Sequence, residues 1–335
     1  MFLVFGCVLL LQTAAQTELV KDCGQRSFPR DVPAGNYSGI TNIGGNEYAV
    51  VSDKSDVDGF FVFKIDIDTL SGEIKSVKNT GFRGDSLKSA DCEGIVFLPS
   101  TSTLFISRES DNVIAEYGMD GRATGRRLNV PQVFREKTAG NYGFESLTYD
   151  EQSHRFWTIN ESTLNGDGER ANSTNSVANM LRLQSFNDSL QPESQYFYKM
   201  DAPIAASPAG HYAMGVSELL AVGDGRLLVL EREFFVPKAK IGAFVQCKIY
   251  EIKPKPEFSV SSGAQISPST DFLPKKLLHS FTTKLTLFGR SLANYEGMCL
   301  GPRLADGSRC VILVSDSQNQ YAGVLKDFFR TIIIR

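Results

Sequence analysis

Asp91-Cys92-Glu93-Gly94-Ile95, answered one hairpin later by Ser107-Arg108-Glu109, is the stretch that decides the fold of this 335-residue chain. A turn carrying an acidic or small residue leads into an apolar strand, and the next apolar strand ends in a polar cluster. The first half recurs as Tyr37-Ser38-Gly39-Ile40, Phe144-Glu145-Ser146-Leu147, Val216-Ser217-Glu218-Leu219 and Tyr295-Glu296-Gly297-Met298. The second recurs as Ser52-Asp53-Lys54, Ile159-Asn160-Glu161, Glu231-Arg232-Glu233 and Ser315-Asp316-Ser317. Self-similarity of this kind marks stacked or radially arranged units. The units read as strands, and a ring of small sheets is the natural way to bury them. The expectation is an all-β chain folded as a β-propeller.

Outward from the quoted stretch, residues 103–107, 113–117 and 126–130 are short runs rich in β-branched or aromatic residues, with a turn at Met119-Asp120-Gly121. With 93–97 they make a blade of four strands. In the third copy, 145–149, 155–159, 180–186 and 195–200 play the same parts. No stretch carries a helical period over several turns. Five repeats are clear, and the long spacing from Glu218 to Glu296 leaves room for a sixth blade. The run 328–334 is strongly β-forming, and 17–23 or 26–28 can pair beside it. Both ends would then share one blade and leave no open edge. Two polar segments, 162–178 and 254–274, read as solvated surface loops. The first follows a polar cluster directly and is a candidate substrate cover.

Composition narrows the function classes. A hydrophobic content of 42% suffices for a sizeable core, and a formal charge of -3 with scattered Lys and Arg speaks against a nucleic-acid partner. The apolar run 2–11, followed by Gln12-Thr13-Ala14-Ala15-Gln16, resembles the core and small-residue cleavage site of a secretory signal peptide. Residues 1–15 are therefore expected to be a removed leader. Residues 16–335 are expected to form one domain, a monomer that is secreted or periplasmic. The run is too short for a membrane-spanning helix. Cys7 lies in the leader. The other five cysteines lack metal-site spacing, and Cys92, Cys299 and Cys310 sit in apolar strands as buried thiols.

Symmetry makes the polar ends the candidate site. Glu93, Glu145, Glu218 and Glu296 hold matching places in four copies, and Ser38 replaces the acid in the first. Strands nearest a propeller axis begin and end at its channel, so these carboxylates should converge. Crowded carboxylates repel, and their pKa values rise. A hard cation relieves the repulsion, and Ca2+ suits oxygen ligands contributed by separate blades. The same glutamates can instead accept backbone N–H groups and stitch the ring together. The second set is Asp53, Arg108, Asn160, Arg232 and Asp316, with Glu161 beside Asn160. Its arginines either pair with the acids or bind a phosphate or carboxylate through their planar guanidinium groups. A metal beside two arginines suits a phosphoester, because the cation polarises the phosphoryl oxygen and activates water. The candidate ligands are Glu93, Glu145, Glu218 and Glu296, then Asp53, Glu161 and Asp316. The candidate substrate contacts are Arg108, Arg232 and Asn160. Glu93 and Glu145 are candidate catalytic acids. His211, in Pro208-Ala209-Gly210-His211-Tyr212, is either a proton carrier at the channel mouth or an ordinary loop residue.

At these residues the chain resembles the phytase-like domain family, described as having the esterase-like activity of phytase. Its members pair a Ser-Gly-Ile/Leu phrase with a Ser-Asp strand end, as Ser38-Gly39-Ile40 and Ser52-Asp53 do. They carry Glu phrases like Asp91-Cys92-Glu93-Gly94-Ile95 and Gly143-Phe144-Glu145-Ser146-Leu147, and a Glu-Arg segment like Leu230-Glu231-Arg232-Glu233. An Asn-Tyr-Glu-Gly phrase before a Ser-Asp strand matches Asn294-Tyr295-Glu296-Gly297 and Val314-Ser315-Asp316. The resemblance implies a secreted or periplasmic propeller acting on phosphate esters or other esters. Three functions follow for a small anionic substrate or ligand. The first is a Ca2+-assisted phosphoester hydrolase. The second is a carboxylic-ester or lactone hydrolase on the same ring. The third is a non-catalytic binding propeller whose charges are blade glue.

Overall fold

The computed structural model describes residues 16–335 apart from 89, 90, 139, 141 and 288. The expected leader, 1–15, lies outside the described residues. Strand β1 (Leu19–Ser27) opens the described chain. The first blade is β2 (Tyr37–Gly44), β3 (Glu47–Ser52), β4 (Val57–Ile67) and β5 (Ile74–Lys88). The second is β6 (Cys92–Leu98), β7 (Thr103–Arg108), β8 (Val113–Gly118) and β9 (Ala123–Arg127). A short helix, α1 (Gln132–Lys137), leads to the third: β10 (Thr148–Asp150), β11 (Arg155–Ile159), β12 (Met180–Asn187) and β13 (Pro192–Lys199). The fourth is β14 (His211–Gly223), β15 (Arg226–Val236), β16 (Phe244–Ile252) and β17 (Lys275–Lys284). The fifth is β18 (Asn294–Arg303), β19 (Arg309–Asp316) and β20 (Phe328–Ile334), and β1 completes it in the order β1-β20-β19-β18. The first and last described strands thus meet in one blade.

The innermost strands touch in a closed circle: β2 meets β6, β6 meets β10, β10 meets β14, β14 meets β18, and β18 returns to β2. Five blades fill the ring. Among the described residues no sixth blade forms, because the long strands β14–β17 and the segment 253–274 take up the spacing that had left room for one. No helix among the described residues is long and apolar enough to cross a membrane.

The apolar runs of the inner strands are explained by burial on both faces, since each blade packs between two others. Ala49, Val51 and Phe60 of the first blade meet Ile95, Leu104 and Ile106 of the second. Leu228, Leu230 and Ile249 of the fourth meet Met298, Val311 and Leu313 of the fifth. The five described cysteines are free thiols.

The small residue in each repeated phrase also has a packing reason. A Cβ on Gly297 would lie 2.2 Å from Ser38 O, and one on Gly39 would lie 2.3 Å from Glu93 O. Neighbouring inner strands pass too closely there for any side chain. Gly297→Ala is therefore expected to lower the unfolding free energy by about 1–3 kcal/mol, the scale of core overpacking. A urea denaturation midpoint equal to that of the parent protein would refute this.

The segment 162–178 differs from the solvated loop expected. Ser162, Thr163, Leu164 and Asp167 are buried at its start. Arg182, fully buried, donates to Asp167 Oδ1 (2.7 Å), Gln195 Oε1 (2.9 Å) and Ala264 O (2.8 Å). One guanidinium thus ties both long segments to the third blade.

Candidate metal and substrate site

Strand register decides which polar ends face the axis. Tyr37 pairs with Ser52, Cys92 with Arg108, Phe144 with Asn160, Val216 with Glu231, and Tyr295 with Ser315. The residues that follow these partners in the chain form two matching sets of positions. On the second strands these are Asp53, Glu109, Glu161, Arg232 and Asp316. On the inner strands they are Ser38, Glu93, Glu145, Ser217 and Glu296. All five residues of the former set, with Glu93, Glu145 and Glu296 of the latter, line one cleft of about 190 Å³. Tyr142, Ala213, Phe234, Asn294 and Gln318 complete its wall.

Four expected site residues stand elsewhere. Arg108 occupies the position of Ser52 and turns aside, where it pairs with Asp58 (3.2 Å) and with Asp111. Glu109 takes the place expected of it. Asn160 likewise yields to Glu161: its Oδ1 accepts from the Arg182 backbone N–H (2.8 Å) and its amide donates to Ser162 O. Glu218 fills the slot that Gly39, Gly94, Ser146 and Gly297 hold in the other blades. It is buried, and its Oε1 accepts from Leu219 N (2.9 Å) and Leu147 N (3.2 Å). That is the blade-stitching role, and it turns Glu218 away from the cleft. His211 is exposed and lies outside the cleft wall, with Nε2 3.5 Å from the Tyr321 hydroxyl.

Seven carboxylates thus meet in the cleft with one arginine inside it and Lys54 at its edge. Glu93, Glu109 and Glu145 each offer one oxygen, and these oxygens lie within 4.8 Å of one another. Arg232 is buried between two acids. Its Nη2 donates to Glu161 Oε1 (2.7 Å), and its Nη1 pairs with Glu296 and reaches Asn294 Oδ1 (3.2 Å). Asn294 also donates to Glu296 Oε1 (2.8 Å), which fixes that carboxylate. Lys54 Nζ lies 2.8 Å from Asp53 Oδ2.

Burial and mutual repulsion hold the acids in a protonated tendency. Desolvation, then the charges of Asp53, Glu296 and Glu109, raises the Glu93 carboxyl well above its usual value. Desolvation, then Glu161 and Glu93, does the same for Glu145. Glu161 and Glu296 are pushed up to about 7, chiefly by burial, with Arg232 pulling the other way. Asp53 Oδ1 and Glu109 Oε1 are buried without a hydrogen-bond partner. An oxygen-only donor set with unsatisfied buried lone pairs fits a hard cation.

Glu109 enters the repeat pattern as the charged neighbour of Arg108 and not as a candidate ligand, and Asn294 and Gln318 lie just outside the repeated phrases. Glu109 was within reach as a ligand, since only a one-residue difference in hairpin length separates it from Arg108.

Among solved structures, the chain is similar to a streptogramin B lyase at 12% identity, covering 93% of this chain and 98% of that one, with a TM-score of 0.39. An endo-arabinase from Bacteroides thetaiotaomicron is similar at 12% identity over 90% and 94%, with a TM-score of 0.45. A PQQ-bound aldose sugar dehydrogenase from Streptomyces coelicolor is similar at 10% identity over 96% and 98%, with a TM-score of 0.40. Overlap this low has no weight for the chemistry of this chain. No curated protein matches its sequence. The family model described as phytase-like, with the esterase-like activity of phytase, matches residues 32–318. That span takes in the inner strands of all five blades and every residue of the cleft, and by it the chain belongs to the phytase-like family.

Proposed function

We propose that this chain is a secreted or periplasmic, monomeric hydrolase of phosphate esters that holds Ca2+ in the acidic cleft. The observation that supports it most is the meeting of Glu93, Glu109 and Glu145 within 4.8 Å, in a cleft with seven carboxylates and one arginine. Such crowding is costly unless a cation relieves it. Those three residues would be the first ligands, with Asp53, Glu161, Glu296 and Asp316 around them. A bound calcium would polarise the phosphoryl oxygen and favour ionisation of an attacking water.

The chain's own residues do the rest. Arg232 holds Glu161 and Glu296 in fixed orientations and keeps a permanent positive charge in the wall. Lys54 is exposed at the edge and able to swing, so it meets the anionic group as it enters. Glu145 is less buried than Glu93 and Glu109, so of the three ligands it is the most open to an incoming water.

One observation favours the second reading, a carboxylic-ester or lactone hydrolase. Arg108 is turned away and Arg232 is already paired twice, so no two free guanidinium groups await a phosphate. The test is release of phosphate from 4-nitrophenyl phosphate and phytate, beside release of alcohol from aryl acetates and lactones. Each is run with calcium and with chelator. Turnover of phosphate esters should need calcium, and Glu93→Gln should lower kcat about 100-fold or more, the scale of a lost electrostatic group. Cleavage of the carboxylic esters alone moves the assignment to the second reading. Inertness toward both classes with calcium present defeats both and favours a binding propeller.

A further inference from the structure

The cleft, at about 190 Å³, falls below the roughly 300–1,000 Å³ of ordinary small-molecule pockets. It has room for a cation, water and one phosphoryl or acyl group. The alcohol attached to that group must lie outside it. A second hollow, of about 580 Å³, opens at its side. The two share an edge twice over: Asp53 and Gln318 line the cleft, while Lys54 and Asn319, the next residue in each case, line the hollow.

The wall of the hollow is aromatic. The Phe61 and Phe82 ring centroids are 5.0 Å apart at 64°, and Tyr37 stands 5.7 Å from Phe61 at 88°. Phe82 keeps 38% of its surface open. Its ring is nevertheless fixed, because it lies against two glycines. A Cβ on Gly84 would come within 2.3 Å of its Cε1, and one on Gly59 within 2.7 Å of its Cζ. The rest of the hollow is nearly neutral. Among the described residues, Lys54 and Asp56 are the only charged ones lining it, and they offset each other.

The backbone at the shared edge is strained. Gln318, Asn319 and Gln320 have φ of 46°, 52° and 56°. A left-handed run of three residues other than glycine persists only where its surroundings fix it, and such strain gathers at working sites. Here Ser317 Oγ donates to Gly35 O (2.7 Å), Gln318 N to Asp316 Oδ1 (2.6 Å), and Gln320 N to Ser317 Oγ (3.1 Å). This clamp puts Gln318 in the cleft and Asn319 in the hollow.

We propose that the hollow is the subsite for the alcohol part of a monoester, and that this alcohol carries an aromatic ring. The aromatic faces hold the ring, and Lys54 reaches across the shared edge to the charged group. A polyphosphorylated ring is disfavoured, since it would bring many negative charges to one lysine. The proposal rests on the hydrolase reading of the cleft, and its test separates the two.

The probe is 4-nitrophenol, the free alcohol, titrated by calorimetry into the calcium-loaded protein. One site is expected on the parent protein. Binding should be about tenfold weaker in Phe82→Ala and close to the parent in Phe82→Tyr. Val57→Glu, which sets a charge on the same wall, is the second variant and should weaken binding likewise. Equal affinity in the parent, Phe82→Ala and Val57→Glu overturns the subsite. Weakened binding in both variants, with no ester hydrolysed by any of these proteins, keeps the subsite and removes the hydrolase reading beneath it. Among hydrolysed substrates, 4-nitrophenyl phosphate should exceed phytate in kcat/KM, and the reverse order overturns the substrate class.

Discussion

Arg232→Met is expected to destabilise the metal-free protein by about 3–5 kcal/mol at pH 8, the cost of breaking a buried ion pair by removing one partner. Arg232 is the one arginine among the seven carboxylates and touches both Glu161 and Glu296. Arg232 lowers both pKa values, and at pH 8, above the point near 7 where the two acids ionise beside it, methionine leaves them either as buried anions with no counter-charge or protonated at a cost. Below that point they take up protons, and Arg232 itself becomes the buried charge lacking a strong partner. The penalty should therefore shrink at pH 5. Calcium should recover part of the loss at pH 8, because a cation in the cleft supplies the missing charge. Urea denaturation at both pH values, with calcium and with chelator, measures all four terms. An equal loss at pH 5 and pH 8 would mean that Arg232 acts through packing alone.

The ring was legible in the chain because its causes are local. Four of the five blades present a small residue where inner strands pass, as Gly39, Gly94, Ser146 and Gly297 do, and every blade carries an apolar run behind that position. Those constraints recur along the sequence from blade to blade. Closure was legible for a similar reason, since the strongly β-forming end at 328–334 needs a partner strand, and β1 provides it.

The site was legible only to within one residue. Side chains alternate across a strand, so a slip of one position sends a residue to the opposite face. Four of the five inner strands that begin a repeat also carry a bulge or a register shift: Tyr37/Ile40, Cys92/Ile95, Val216/Glu218 and Tyr295/Gly297. A bulge leaves no mark in a hydrophobic pattern. Alignment by similar letters therefore matched Arg108 and Asn160 to Asp53, whereas pairing matches Glu109 and Glu161 to it. It also matched Glu218 to Glu93, whereas Ser217 is the true counterpart. The exchange changes the chemistry. With Arg108 inside, the cleft would have held two arginines fit for a phosphate. With Glu109 inside, it is an acidic cup that calls for a cation before any anion can enter.

In the absence of metal, stability should fall as the pH rises from about 4.5 to 7, and calcium should restore it. Glu161 and Glu296 have the usual glutamate value of 4.5 when unfolded and about 7 when folded. The unfolded chain gives up these protons first, so raising the pH draws the equilibrium toward it. Their contribution is complete below pH 4.5, is lost by about pH 7, and does not change above that. At about 1.36 kcal/mol per unit, the loss is on the order of 3 kcal/mol for each of the two acids. Calcium competes with protons for the same oxygens and binds the ionised cleft. At a hundred times its Kd it should add about 2.7 kcal/mol. The rise in Tm on adding calcium should thus be small at pH 5 and large at pH 8. Glu93→Gln should shrink that rise at pH 8, and excess calcium should bring part of it back. Glu218→Gln is the control. It alters an acceptor of backbone N–H groups outside the cleft, so it should cost about 1–3 kcal/mol equally with and without calcium. If Glu93→Gln instead runs parallel to the parent across the titration while Glu218→Gln does not, the cation lies against the fourth blade's inner strand and the acidic cleft is structural.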